Sequence, residues 1–179
     1  MELETDNCKL ATSSARRLIL MRHAKSSWGQ PGVADHDRPL NHRGSDSALA
    51  LGDWLRDNKL LPDEALVSSA RRTQETFAGL RLEVDSTVKR ELYHASSDQL
   101  LDSLSEATGQ CVIIVAHNPG IGDLALRLAR LMRQHPEHSR FADFPTGATF
   151  VVEWNSESWA ETDWSTGEIK SFVTPKDLI

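Results

Sequence analysis

This chain of 179 residues is poor in cysteine and has no long apolar run. Its two cysteines, Cys8 and Cys111, are too few for a disulfide framework or a thiolate metal site. No apolar run approaches the ~18 residues needed to cross a bilayer. The acidic first six residues lack the apolar segment of a secretory signal. These absences predict a cytoplasmic protein that does not engage a membrane.

The charge balance argues against a further group of functions. The formal net charge is −6 and the pI is about 5.6, so we expect neither a nucleic-acid-binding surface nor attraction to an anionic membrane. Apolar residues make up 39% of the chain and charged residues 26%, as in ordinary globular domains. Against this acidic background, a local group of arginines and histidines predicts a pocket for an anion.

The order of apolar runs predicts a flexible N-terminal arm over residues 1–16 and a single α/β domain over residues 17–179. Strands that alternate with helices favour a mostly parallel sheet, to which two late strands add antiparallel edges. Ser69 is expected to cap the second helix. The predicted strands lie at 17–22, 64–68, 82–84, 111–116, 149–154 and 168–173, and the predicted helices near 45–58, 70–79, 97–107 and 120–134.

Two apolar strands end on side chains that suit a phosphoryl group. Arg22 and His23 follow the run at 18–21, and His117 follows the run at 111–116. Ligands of open α/β sheets bind beyond the carboxyl ends of the strands, so two parallel neighbours would bring these side chains together. Arginine offers a planar fork of donors to phosphoryl oxygens, and imidazole can donate to the group or attack it.

Further arginines extend this predicted anion pocket. Arg71 and Arg72 lie in the first turn of a helix that follows a short strand, where backbone N–H groups favour an anion. Arg38 lies in the long loop at 25–44 and is either an additional oxygen ligand or a surface residue. Each feature has a plain alternative, since charged helix faces and buried core histidines are common.

Taken together, these motifs resemble the histidine phosphatase superfamily, which also contains the cofactor-dependent phosphoglycerate mutases. The family's Arg-His-Gly is here Arg22-His23-Ala24, a mild departure because alanine is the next smallest residue. The branch resembled most is that of SixA-type phosphohistidine phosphatases. The matching segments, in family order, are 21–26, 37–40, 68–76, 91–95, 117–120 and 144–147.

The resemblance implies an α/β three-layer sandwich, with a mostly parallel central sheet flanked by helices, as in phosphoglycerate mutases. It implies that His23 accepts the phosphoryl group and that Arg22 and Arg72 hold its oxygens. His117 would donate to the transferring group, and Arg38 would be an additional ligand. Arg71 falls outside the family pattern Ser-x-x-x-Arg-x-x-x-Thr. No cofactor or metal is expected, because no ligand spacing is present and the arginines would repel a divalent cation.

The general acid is the weakest part of the predicted site. Its candidates, Asp35, Asp37, Glu91 and Asp98, carry no supporting pattern, and the segment between Arg72 and His117 is too short for the insertion that supplies the acid in larger relatives. An acid-poor pocket favours an activated phosphoryl group, such as a protein phosphohistidine, over an alkyl phosphate. The expected partner is a phosphorylated protein or small compound. A non-catalytic phosphoryl sensor and a phosphomutase remain alternatives.

Overall fold

The computed structural model describes residues 15–179, which form a sheet of six strands with helices on both faces. The strands are β1 (Ala15–Arg22), β2 (Glu64–Ser68), β3 (Ser86–Lys89), β4 (Cys111–Ala116), β5 (Thr149–Asn155) and β6 (Glu168–Val173). The α-helices are α1 (His42–Asp57), α2 (Arg71–Leu80), α3 (Ser97–Ser105) and α4 (Gly120–Met132). Short 3-10 helices cover Asp35–Asp37, Arg90–Leu92, Trp164–Thr166 and Pro175–Asp177.

The strand order β3-β2-β4-β1-β5-β6 confirms the predicted, mostly parallel α/β sheet. Strands β3, β2, β4 and β1 are parallel, and only β5 runs against its neighbours β1 and β6. The register pairs Arg22 of β1 with Ala116 of β4, so these central strands end side by side. The predicted antiparallel edge is therefore also present.

Side chains of the central strands alternate between the two faces of the sheet, and the core therefore has two layers. Leu18 and Leu20 pack with Leu100 and Leu124 of α3 and α4, whereas Ile19 and Met21 fall in a second cluster with α1 and α2. Successive side chains of a strand point to opposite faces, so an uninterrupted apolar strand needs cover on both sides. Two helix layers around one sheet give the predicted three-layer sandwich.

Local predictions were wrong at three places. No strand forms at 82–84, and the edge strand lies at Ser86–Lys89, where the chain pairs with β2. Ser69 does not cap α2, since the helix begins after Ala70 without a side-chain cap. The first strand begins at Ala15 because Ala15 and Arg16 pair with Asn155 and Trp154 of β5, an interaction that local polarity could not reveal.

Of the predicted arm over residues 1–16, residues 1–14 lie outside the described part of the chain, and the last two belong to β1. Within residues 15–179, no helix combines the length and apolar character needed to span a bilayer.

Candidate active site

Three neighbouring strands deliver polar side chains to one edge of the sheet. His23 follows β1, His117 follows β4, and Ser68 is the last residue of β2. The parallel register places Val115 of β4 between Met21 of β1 and Val67 of β2, so the three strand ends form a row. The ring centroids of His23 and His117 are 5.3 Å apart, which confirms that the two histidines converge.

His23 is held as a neutral imidazole with one free nitrogen. Its Nδ1 atom lies 2.7 Å from the carbonyl oxygen of Ala24, and since a carbonyl can only accept, Nδ1 carries the proton. The lone pair is therefore on Nε2. Burial lowers the pKa of His23 to about 4, and the charges of Arg72 and Arg22 act in the same direction. At neutral pH this imidazole is therefore uncharged, with its lone pair on Nε2.

His117 is bound at both ring nitrogens. Its Nε2 lies 2.7 Å from Ser68 Oγ, and its Nδ1 lies 3.3 Å from a guanidinium nitrogen of Arg72 that donates to it. Burial, followed by repulsion from His23 and Arg72, lowers the pKa of His117 to about 3. Since a guanidinium can only donate, Nδ1 accepts from Arg72, and Nε2 carries the proton that His117 donates to the Ser68 hydroxyl.

Two arginines flank the histidines. Arg72, on the first turn of α2, is only 7% exposed, and it donates to the Asp35 carbonyl at 2.6 Å and to Asp35 Oδ2 at 3.2 Å. Arg22 donates to the Phe144 carbonyl at 3.1 Å, while its buried Nε has no hydrogen-bond partner among the described residues. A buried donor without a partner is costly, so Arg22 is suited to an anionic ligand.

The loop after β1 adds a network centred on Asp35. The Asp35 carboxylate accepts hydrogen bonds from Tyr93 (2.6 Å), from Arg72 and from Arg38. The Arg38 guanidinium carbon lies 3.3 Å from the ring centroid of Trp28, a cation–π arrangement. These bonds, with Tyr93 first and Arg38 second, hold the pKa of Asp35 far below its ordinary value. Asp35 is therefore ionised at neutral pH.

All five predicted site residues line one cleft of about 350 Å³, together with residues that the sequence did not single out. His94, an exposed residue to which the sequence assigned no role, also lines this cleft. Ser68 is the last residue of β2, so the rule that located the histidines at strand ends could also have located Ser68. No local sequence signal linked Asp35 to Tyr93. The full lining is Arg22, His23, Lys25, Ser26, Trp28, Asp35, Arg38, Arg72, His94, His117, Asn118 and Thr146.

Among its lining residues, the cleft offers no protonated carboxyl group for the role of general acid. Asp35 is the only carboxylate among the lining residues, and its lowered pKa leaves it without a proton to give. The other candidates lie elsewhere, Asp37 beside His36, Glu91 beside Lys89 and Asp98 beside Arg127. Arg71 also lies outside the cleft, where it pairs with Glu75 on an exposed helix face.

Residues 15–179 contain no cluster of three or more histidine, cysteine or acidic side chains arranged to hold a metal ion. The groups that converge at the cleft are instead two neutral imidazoles and several guanidinium groups. Such a set can bind a phosphoryl group and place a nitrogen nucleophile against it.

Comparisons of sequence and structure agree with this geometry. The profile of the histidine phosphatase superfamily (branch 1) matches residues 18–92, a range that includes His23, Arg38 and Arg72. A similar protein from Mycobacterium leprae (strain TN), described as uncharacterized, is 32% identical over 162 residues, which cover 87% of this chain and 100% of that protein. The chain belongs to the histidine phosphatase superfamily.

Similar solved structures indicate which branch of that family the chain resembles. The putative phosphohistidine phosphatase SixA from Nakamurella multipartitia superimposes with a TM-score of 0.78 at 29% identity, over 90% of this chain and 96% of that one. The putative SixA from Agrobacterium tumefaciens gives a TM-score of 0.71 at 26% identity, over 89% and 98%. The chain is thus SixA-like, with a phosphoglycerate mutase-like fold, and the comparisons support phosphatase activity.

Proposed function

We propose that this protein hydrolyses an activated phosphoryl group, from a protein phosphohistidine or a small phosphorylated compound, through a phosphorylated His23. The observation that carries this proposal is the state of His23, a buried neutral imidazole with its proton fixed on Nδ1 and its Nε2 lone pair free. A module that only binds phosphoryl groups needs donors, and it has no need of a nucleophile prepared in this way.

In the first step, Nε2 of His23 attacks phosphorus, an N–P bond forms, and the bond to the leaving group breaks. Arg22 and Arg72 bind the oxygens of the transferring group and neutralise the charge on them. His117 donates a hydrogen bond to the group from Nδ1 after two changes: the Ser68 hydroxyl donates to Nε2, and the Arg72 N–H that contacts Nδ1 turns to a phosphoryl oxygen. Arg38 binds a further oxygen from the outer side of the cleft.

In the second step, water attacks the phosphohistidine, the N–P bond breaks, and phosphate leaves. Neutral His23 is restored, with Nδ1–H still donating to the Ala24 carbonyl oxygen. The absence of a protonated carboxyl among the residues that line the cleft favours a leaving group that needs little help. The nitrogen of a phosphohistidine and the oxygen of an aryl phosphate meet this condition better than an alkyl oxygen does.

The test measures phosphate release without added metal from p-nitrophenyl phosphate, a phosphohistidine peptide and an alkyl phosphate. We expect turnover of the first two, much slower turnover of the alkyl ester, and loss of all activity in His23→Ala. Rapid turnover of the alkyl ester would contradict the activated-substrate assignment. Phosphate or vanadate binding without any turnover would identify a sensor instead.

A further inference from the structure

A second, smaller pocket adjoins the cleft and is lined by basic side chains. Its volume is about 220 Å³, and Lys25 and Thr146 line both cavities. The pocket contains no acidic lining residue. Its lining comprises Lys25, Arg43, Ser47, Arg140, Pro145, Thr146, Thr174, Pro175 and Lys176.

Most of the positive charge in this second pocket is uncompensated. Arg140 pairs with Asp143 at 3.0 Å, whereas Lys25, Arg43 and Lys176 have no ion-pair partner within residues 15–179. Converging cations with few counter-charges raise the local potential and attract anions. In an acidic protein of net charge −6, this concentration of positive charge next to the cleft indicates a ligand site.

Close backbone packing sets the positions of these cations. A Cβ at Gly44 would lie 2.1 Å from the Lys25 carbonyl oxygen, so only glycine lets the first turn of α1, with Arg43, approach Lys25. A Cβ at Gly147 would lie 2.5 Å from Pro175 Cγ, which places the segment that carries Lys176 against the chain beside Thr146. Two glycines thus allow separate segments to meet around one pocket.

The same backbone links the second pocket to His23. The Gly147 N–H donates to the carbonyl oxygens of Arg22 (3.1 Å) and His23 (3.0 Å), and Lys25 follows His23 by two residues. Since the two cavities share lining residues, a single small molecule or a short peptide segment can reach both. The volume of the second pocket is below the ~300 Å³ at which sites for whole drug-sized ligands begin, so it suits one small group.

We propose that Lys25, Arg43, Arg140 and Lys176 bind a second anionic group, a phosphate or a carboxylate, carried by the same substrate whose phosphoryl group lies at His23. This inference rests on the proposed phosphatase function and adds a substrate class to it. The preferred substrates are doubly anionic. The second group belongs either to a small phosphorylated compound or to an acidic side chain near a phosphohistidine.

The test compares two aryl phosphates that differ only at the para position, 4-(phosphonomethyl)phenyl phosphate and 4-methylphenyl phosphate. We expect kcat/KM to favour the phosphonate-bearing substrate by roughly fivefold, a moderate value because exposed ion pairs contribute little each. The double variant Arg43→Gln/Lys176→Gln should reduce this ratio towards one. The control Lys59→Gln/Arg130→Gln removes the same charge from exposed positions outside both cavities and should keep the wild-type ratio.

A second arm compares phosphohistidine peptides with aspartate or asparagine beside the modified residue. A preference confined to the aryl pair assigns the second anion to a small compound, and a preference for the acidic peptide assigns it to a protein. Equal kcat/KM values within both pairs would overturn the inference, as would an equal loss of preference in the control variant.

A binding measurement separates this inference from the catalytic one. Calorimetry with the non-hydrolysable p-xylylene bisphosphonate tests the second pocket even if neither substrate is turned over. We expect Arg43→Gln/Lys176→Gln to weaken its binding by roughly fivefold, with unchanged binding in the control. Equal affinity in wild type and the Arg43→Gln/Lys176→Gln variant would overturn the second site whether or not the chain is a phosphatase.

Discussion

The cleft has an inner half and an outer half that are built differently. The inner half consists of His23, Arg72 and His117, which are 7%, 7% and 5% exposed and stand on strand ends or on the first turn of α2. The outer half consists of Trp28, Asp35 and Arg38, which stand on the loop between β1 and α1, with Trp28 74% exposed. The sheet fixes the inner half, whereas contacts between side chains hold the outer half. We therefore expect chemistry to depend on the inner half and substrate affinity on the outer half.

The largest effect should come from removing the inner nucleophile. We expect His23→Ala to lower kcat/KM for p-nitrophenyl phosphate by on the order of 10⁴-fold or more, because His23 is the buried lining imidazole whose proton a carbonyl holds on Nδ1. The matched control is His42→Ala, since the His42 side chain is 92% exposed. A variant His23→Ala with near-normal turnover would remove the basis for assigning chemistry to the inner half.

Arginine-to-lysine changes compare the two halves directly. Arg72→Lys should lower kcat by roughly 10²-fold, because an ammonium cannot reproduce the planar fork that binds two phosphoryl oxygens. Arg38→Lys should change kcat by less than about tenfold, since Arg38 lies on the outer side. Steady-state kinetics of both variants check this order, and equal losses of kcat would contradict it.

Buried neutral histidines should make the inner half sensitive to acid. In the unfolded chain, both histidines take up a proton as the pH falls below their ordinary pKa of 6.5. In the folded protein, the pKa is lowered to about 4 for His23 and to about 3 for His117, so both stay neutral to a lower pH. The free energy of unfolding should therefore fall as pH drops from 6.5 to 4, by at most about 3 kcal/mol per histidine. Asp35 contributes stability that is lost only below its ordinary pKa of 3.8, outside this range.

Denaturant titrations at several pH values check this acid sensitivity. His23→Gln and His117→Gln should each flatten the dependence between pH 6.5 and 4, while the exposed control His42→Gln should leave it unchanged. An identical slope in all four proteins would mean that the two buried imidazoles take up protons in the folded state as well.

The smallest effect should come from the rim of the outer half. Trp28→Ala removes the ring that Arg38 covers, and a cation–π contact at an exposed site contributes about 0.5–1 kcal/mol. We expect KM for p-nitrophenyl phosphate to rise by roughly two- to fivefold, with little change in kcat. A fall in kcat comparable to that of Arg72→Lys would contradict this expectation, because it would show that Trp28 contributes to the chemical step.

The same division explains what the sequence could predict. His23 and His117 were predicted to converge because each follows an apolar strand, and parallel strands end at one edge of a sheet. Edge strand β3 escaped prediction, since Ser86–Lys89 is mostly exposed and owes its conformation to pairing with β2.

The contacts that hold the outer half escaped prediction for a related reason, although Arg38 itself was predicted as a ligand. Asp35 meets Tyr93 and Arg72 through contacts between residues distant in sequence, and no local pattern encodes them. No local pattern marked His94 as a lining residue either, because that role depends on how the segment after Leu92 packs beside His117.

The most direct test of the central claim is to trap the phosphorylated enzyme. The protein is mixed with a phosphohistidine peptide, quenched in alkali within one turnover, digested and examined by mass spectrometry. We predict an acid-labile phosphate on His23 that forms at least as fast as product appears, and its absence in His23→Ala. Turnover without any phosphorylated residue, or with phosphate on His117 instead, would contradict the account.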